Sequence, residues 1–139
     1  WDSQTGELVR TFKGHKDRVS AVTINPDGKT IVSGSYDNTV RIWKIDTGEI
    51  LKTLKGHSDW ISSVSINANG KLIASASGDS TIRIWNLETG EIFQVLRGHS
   101  SYVGTAVFSP MIQDKSFNEQ TLISSGMEDN TIKIWRMSP

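Results

Sequence analysis

No cysteine occurs in the 139 residues. The chain therefore has no disulfide framework and no thiolate for metal or redox chemistry, which fits a cytoplasmic protein. Net charge is also missing: fifteen Lys and Arg balance fifteen Asp and Glu, and no two basic residues are consecutive. Non-specific attraction to nucleic acid or to an anionic membrane has nothing to act through. No apolar run approaches a membrane span, and no basic-then-apolar signal segment opens the chain. The first residue is Trp rather than Met, from which we expect that the sequence was cut from a longer chain or that its true start is missing.

What is present is repetition. A Gly-His pair recurs with His at 15, 57 and 99, and Trp falls at 1, 43, 85 and 135. A period of 42 residues between the first copies means one supersecondary unit stacked against copies of itself. Residues 14 to 43 align without gaps on 56 to 85. The third copy, from Gly98 to Trp135, carries eight more residues, which the alignment places between Pro110 and Thr121. The first two copies have tight turns there, Pro26-Asp27-Gly28 and Ala68-Asn69-Gly70, so the extra segment reads as an enlarged hairpin loop.

Apolar residues within each copy alternate in short runs, as in Val40-Arg41-Ile42-Trp43, and turn residues separate the runs. This predicts four short antiparallel strands per copy, Val19 to Ile24, Thr30 to Ser35, Thr39 to Trp43 and Glu49 to Leu54 in the first. A helix is excluded because Gly-containing breakers recur every ten residues or so and β-branched residues dominate the runs. Residues 7 to 12 align with 49 to 54 and 91 to 96, so they read as a fourth strand without its first three. The chain after Trp135 lacks a fourth strand in turn.

Gly-His, the Ser-Gly-Ser-x-Asp turn and Ile-Trp together resemble the WD-repeat (WD40) family, and the resemblance extends over all 139 residues. It implies an all-β fold, a β-propeller in which each blade is a four-stranded antiparallel sheet, with three blades in this chain. The expected organisation is an opening strand over 1–13, repeats over 14–55, 56–97 and 98–139, and the enlarged loop at about 110–120. Two features depart from the family pattern. The residue after Trp is Lys44, Asn86 or Arg136 rather than Asp, and only Trp1-Asp2 keeps the dipeptide.

Each copy offers a His, a Ser and an Asp: His15, Ser33 and Asp37; His57, Ser75 and Asp79; His99, Ser125 and Asp129. These are the residue types of a base, a nucleophile and an orienting acid. A catalytic site needs one exposed nucleophile, whereas this trio recurs three times beside a Trp, so the structural role is preferred and no catalytic residue is assigned. The family resemblance implies a buried hydrogen-bond chain from Asp through His and Ser to Trp43, Trp85 and Trp135. The three His residues sit on separate blades, too far apart to share one ion, and no metal or cofactor is expected. Asp114, Lys115 and Glu119 of the extra segment read as solvated loop charges.

The copies differ just before the first strand, where they read Arg18, Trp60 and Tyr102, and before the turn Asp, where they read Tyr36, Gly78 and Glu128. The resemblance implies that these loops share one face of the disc, where many members bind peptides, with Lys16, Ser58 and Ser100 flanking it. Large aromatics and Arg are enriched at binding hot spots. The expected function is a non-enzymatic scaffold for a protein or peptide partner, with no nucleic-acid or membrane partner. The alternative is an excised sensor or regulatory propeller of a larger ATPase-type protein; Asp-Thr-Gly-Glu and Glu-Thr-Gly-Glu look similar to bacterial members.

Three blades fall short of the four to eight of a propeller. Either missing blades complete a ring of about seven, or a head-to-tail homodimer closes six. In the dimer Leu8, Val9, Thr11 and Phe12 of one copy pair along Thr131 to Trp135 of the other, against Ile132 and Ile134.

Overall fold

A computed structural model describes residues 3–110 and 120–137. Trp1, Asp2 and the extra-loop residues Asp114, Lys115 and Glu119 lie outside them. The described residues form eleven strands and no helix: β1 (Val19–Ile24), β2 (Thr30–Ser35), β3 (Val40–Lys44), β4 (Ile50–Leu54), β5 (Ile61–Ile66), β6 (Leu72–Ser77), β7 (Thr81–Asn86), β8 (Ile92–Arg97), β9 (Val103–Phe108), β10 (Gln120–Gly126) and β11 (Ile132–Met137). Among the described residues no helix is long and apolar enough to cross a membrane.

Antiparallel pairing gives three meander sheets, β1-β2-β3-β4, β5-β6-β7-β8 and the three-stranded β9-β10-β11. Hairpin turns set the register, with left-handed backbone at Asn38, Ser80 and Asn130 in the β2–β3, β6–β7 and β10–β11 turns. Asn tolerates that region through local hydrogen bonding of its short side chain. The inner strands β1, β5 and β9 stand side by side, with β5 in the middle. The fold is all-β, an open part of a propeller with its blades stacked face to face.

Each middle-strand sequence carries apolar residues toward both neighbours, so a sheet has two faces to cover. One core lies between the first and second sheets, where Val32, Val40, Ile42 and Leu54 meet Ile61, Val64, Ile73 and Trp85. A second joins Ile82, Ile84 and Leu96 to Val103, Ala106, Phe108 and Leu122. The sheets approach closely at Gly34, where a Cβ would lie 2.4 Å from the Ile61 methyl. Serine hydroxyls tie the inner strands, Ser20 Oγ donating to the Ile61 carbonyl and Ser62 Oγ to the Val103 carbonyl.

The outer faces of the first and third sheets have no such cover. Val19 is 58% exposed while the aligned Ile61 and Val103 are fully buried. Ile132 is 76% exposed while the aligned Val40 and Ile82 are 0% and 1%. The same residue types thus stand in water at the two ends and in the core between blades.

Residues 7 to 12 are not a strand in the single chain. They nonetheless sit as β4 does one blade on. Arg10 Nη1 donates to the Thr47 carbonyl at 3.2 Å, and Arg10 lies over Gly48 as the aligned Lys52 lies over Gly90. Phe12 meets Trp43 edge-on at 5.8 Å, while the aligned Leu54 shares a core with Trp85. The segment occupies the place of an outermost strand, and it lacks the strand that would pair with it.

Ile61→Ala is expected to cost about 2–5 kcal/mol, since it empties the junction against Gly34 and Val64. Thr53→Ala on the exposed β4 edge should stay within about 0.5 kcal/mol. Urea midpoints of the two variants check the contrast.

Candidate functional site

The Gly-His loop before each inner strand brings the imidazole between the β2–β3 type turn and the Trp of the third strand. His15 Nδ1 donates to Asp37 Oδ2 at 2.8 Å, the Ser33 hydroxyl donates to His15 Nε2 at 2.7 Å, and Trp43 Nε1 donates to Ser33 Oγ at 2.7 Å. The second blade repeats this chain at 2.7, 2.8 and 2.8 Å through Asp79, His57, Ser75 and Trp85. A proton on Nδ1 is the tautomer that satisfies every link. The Gly is needed because the Trp ring and an Arg lie against it: a Cβ at Gly56 would stand 2.5 Å from Arg83 Nη1.

The third blade contains a correction. His99 and Trp135 bond Ser124, each at 2.8 Å, and not Ser125. Asp129 accepts from His99 Nδ1 at 2.6 Å. Seven of the eight extra residues lie between Pro110 and Thr121, and the eighth lies in the β10–β11 turn. There the Met127 N–H bonds the Tyr102 carbonyl as Tyr36 bonds Arg18 and Gly78 bonds Trp60, so the slot aligned with Tyr36 and Gly78 holds Met127, and Glu128 is the added residue. Counting four residues back from Asp129, the spacing of the first two copies, leads to Ser125. The signal for Ser124 was the apolar-apolar-Ser order of Leu122-Ile123-Ser124, which matches Ile31-Val32-Ser33.

This arrangement has the order of a catalytic triad without its chemistry. The serine is buried and its oxygen is already engaged by an indole N–H, which leaves no approach for a substrate. Each Asp is saturated as well: Asp37 Oδ1 accepts from the Thr39 amide and hydroxyl, and Oδ2 also accepts from the Lys16 amide. Burial raises the Asp37 carboxyl, but bonds from Thr39, Lys16 and His15 outweigh it and hold the group well below the usual carboxylate range. Asp79 and Asp129 are depressed in the same way, against burial, by bonds from His57 and Thr81 and from His99 and Thr131. Among the described residues no cluster could hold a metal ion.

The residues that vary between copies form one row across the rim of the three blades. The Arg18 guanidinium lies 5.5 Å over the Tyr36 ring, Tyr36 stacks on Trp60 at 5.3 Å, Trp60 meets Tyr102 at 5.7 Å, and the Tyr102 hydroxyl donates to Glu128 at 3.0 Å. That bond, with some burial and the carboxylate charge, raises the Tyr102 phenol above its ordinary value. Gly78 gives Trp60 its seat, since a Cβ there would stand 2.6 Å from the indole nitrogen. Arg18, Tyr36 and Glu128 are exposed, whereas Trp60 and Tyr102 are half-buried and also serve as packing between blades. Lys16, Ser58 and Ser100 stand exposed beside the row, their amides bonded to Asp37, Asp79 and Asp129.

The family described as WD domain, G-beta repeat matches residues 6–44, 48–86 and 90–136. The chain belongs to the WD-repeat family. A periodic tryptophan protein 2 homolog of Schizosaccharomyces pombe is 49% identical over 45 residues, 32% of this chain and 5% of that protein. The guanine nucleotide-binding protein subunit beta-5b of Danio rerio is 51% identical over 43 residues, 31% of this chain and 11% of its own length. Protein groucho of Drosophila melanogaster is 47% identical over 45 residues, 32% of this chain and 6% of groucho. The matched stretches are thus about one repeat long and a small part of each relative. These relatives lend no support to the likeness with bacterial members.

Each WD-repeat frame starts with the outermost strand of one blade and runs to the Trp of the next. The frame that starts at residue 6 therefore includes the unpaired segment against the first blade. The position after Trp, where this chain departs from the family dipeptide, stands outside the buried chain. Lys44 and Arg136 are exposed, and Asn86 accepts from the Glu88 and Thr89 amides in its turn.

Ser124→Ala should cost about 1–3 kcal/mol, because it strands the His99 ring and the Trp135 indole, while Ser125→Ala should be nearly neutral. Denaturant midpoints decide between the two serines. The depressed aspartates add stability that is complete above about pH 4, the ordinary aspartate range, and is lost as pH falls through their lower native values. The urea midpoint should therefore fall below about pH 4, and less steeply in Asp79→Asn, over an acid titration followed by tryptophan fluorescence.

Proposed function

We propose that this WD-repeat chain is a non-enzymatic scaffold that offers the face bearing Arg18, Tyr36, Trp60, Tyr102 and Glu128 to a protein or peptide partner. The observation that carries this reading is the continuity of the row: side chains from three separate blades, four at positions that vary between the copies and the fifth added in the third copy, touch in sequence on one face. A blade needs none of them for its own hydrogen bonding, and aromatic and Arg side chains supply binding energy at little entropic cost. The exposed Tyr36 is the test position. Peptides selected from a display library on the wild-type face should lose at least tenfold in affinity on Tyr36→Ala, with an unchanged thermal midpoint. Peptides that bind the variant equally would refute the assignment.

The scaffold closes into a ring with a second copy. Two observations support this: apolar residues stand exposed on both end faces in positions that are buried between blades, and residues 7 to 12 wait in the place of an outermost strand. Docking the third sheet of one copy on the first sheet of another would cover Ile132 and Ile134 and set Leu8, Val9, Thr11 and Phe12 beside β11. Unpaired sheet edges and uncovered apolar faces favour such association. Native mass spectrometry should give twice the mass of the chain, and deletion of residues 1–12 should abolish that species. A monodisperse monomer would exclude closure.

A further inference from the structure

The two open faces differ in charge at the level of the rim row. At the junction of the first two sheets, the turn residue Tyr36 stacks on Trp60, which precedes the next inner strand. At the second junction the turn slot holds Gly78, and Tyr102, before the next inner strand, meets Trp60 instead. The third sheet presents Met127 and the added Glu128 in its turn, both exposed, with no described residue opposite them from a further blade. The residue before the first inner strand is the exposed Arg18. One end of the stack therefore carries a carboxylate where the other carries a guanidinium.

The third sheet also lacks the hydroxyl that ties each completed junction. Ser20 and Ser62 donate to the carbonyls of Ile61 and Val103 across their junctions, and the aligned residue is Gly104. Met127 fills the space above it, with its sulfur 2.4 Å from where a Cβ would be. The added turn residue, the exposed Glu128, belongs to the same departure. A following blade cannot be registered here by the serine bond used at the other junctions.

We propose that a second copy of this chain is registered by a reciprocal ion pair, Glu128 of each copy meeting Arg18 of the other at both seams of the ring. This rests on the ring closure proposed above. The pair replaces the missing serine bond, and it selects the head-to-tail arrangement because like ends would bring two carboxylates or two guanidiniums together. Exposed pairs contribute little affinity and mostly fix register and partner choice.

Charge reversal tests it. Arg18→Glu alone places two carboxylates at each seam, and Glu128→Arg alone places two guanidiniums there. Each variant should dimerise about tenfold or more weakly than wild type by sedimentation velocity at low salt. Mixing the two should restore dimerisation, because the heterodimer has one Glu and one Arg at both seams. The neutral double variant Arg18→Gln with Glu128→Gln should lose the salt dependence of the wild-type dissociation constant. Unchanged dimerisation of the single variants, no gain on mixing, or an unchanged salt dependence would overturn the ion pair while leaving the wild-type dimer, and so the ring, intact. A monomeric wild type would overturn both.

Discussion

Burial of both faces of every sheet governs this molecule. A four-stranded meander has two apolar sides, and one blade can cover only one side of its neighbour. The second sheet is the only described sheet covered on both sides, with Ile61, Val64 and Ile73 on one face and Ile82, Ile84 and Leu96 on the other. The close approach at Gly34 and the Ser20 and Ser62 bonds follow from that stacking, because only tight contact excludes water from two such faces at once. The same requirement is unmet at the two ends, and this makes the chain's association behaviour a physical question as well as a biological one.

The buried chain of Asp, His, Ser and Trp solves a different problem. Polar side chains inside a narrow wedge of sheet are costly unless every donor and acceptor is used, and here each link is used in one consistent direction. The carboxylate end gathers the Gly-His loop and the hairpin turn through the amides of Lys16 and Thr39, and the indole end reaches into the sheet. The network therefore fixes the loops on the rim face relative to the strands. A rigid rim is what the recognition proposed for Arg18, Tyr36 and Glu128 would require.

The third blade departs from the others as a coupled set. One additional turn residue shifts the Ser to Asp spacing, Gly104 replaces a serine, and Met127 occupies the space released. Together these alter the outer side of the blade without disturbing its His99, Ser124 and Trp135 links.

The sequence by itself determined the repeat, the all-β character, the strand positions to within a residue or so and the buried polar trio in the first two copies, because period-two alternation, Asn-Gly turns and identical spacing are local signals. It also showed that Arg18, Tyr36, Trp60 and Tyr102 stand where the copies differ, but it set Glu128 in a slot that Met127 fills. It misplaced Ser125 for Ser124, because a gap in an alignment has no unique position until backbone bonds such as Met127 to Tyr102 assign the extra residue to a turn. Nor did it settle that the Trp60 and Tyr102 rings pack between blades, or that residues 7 to 12 rest against the first blade without pairing. Those outcomes depend on which blade stands next to which, and contacts between elements far apart in the chain exist only once the sheets are stacked.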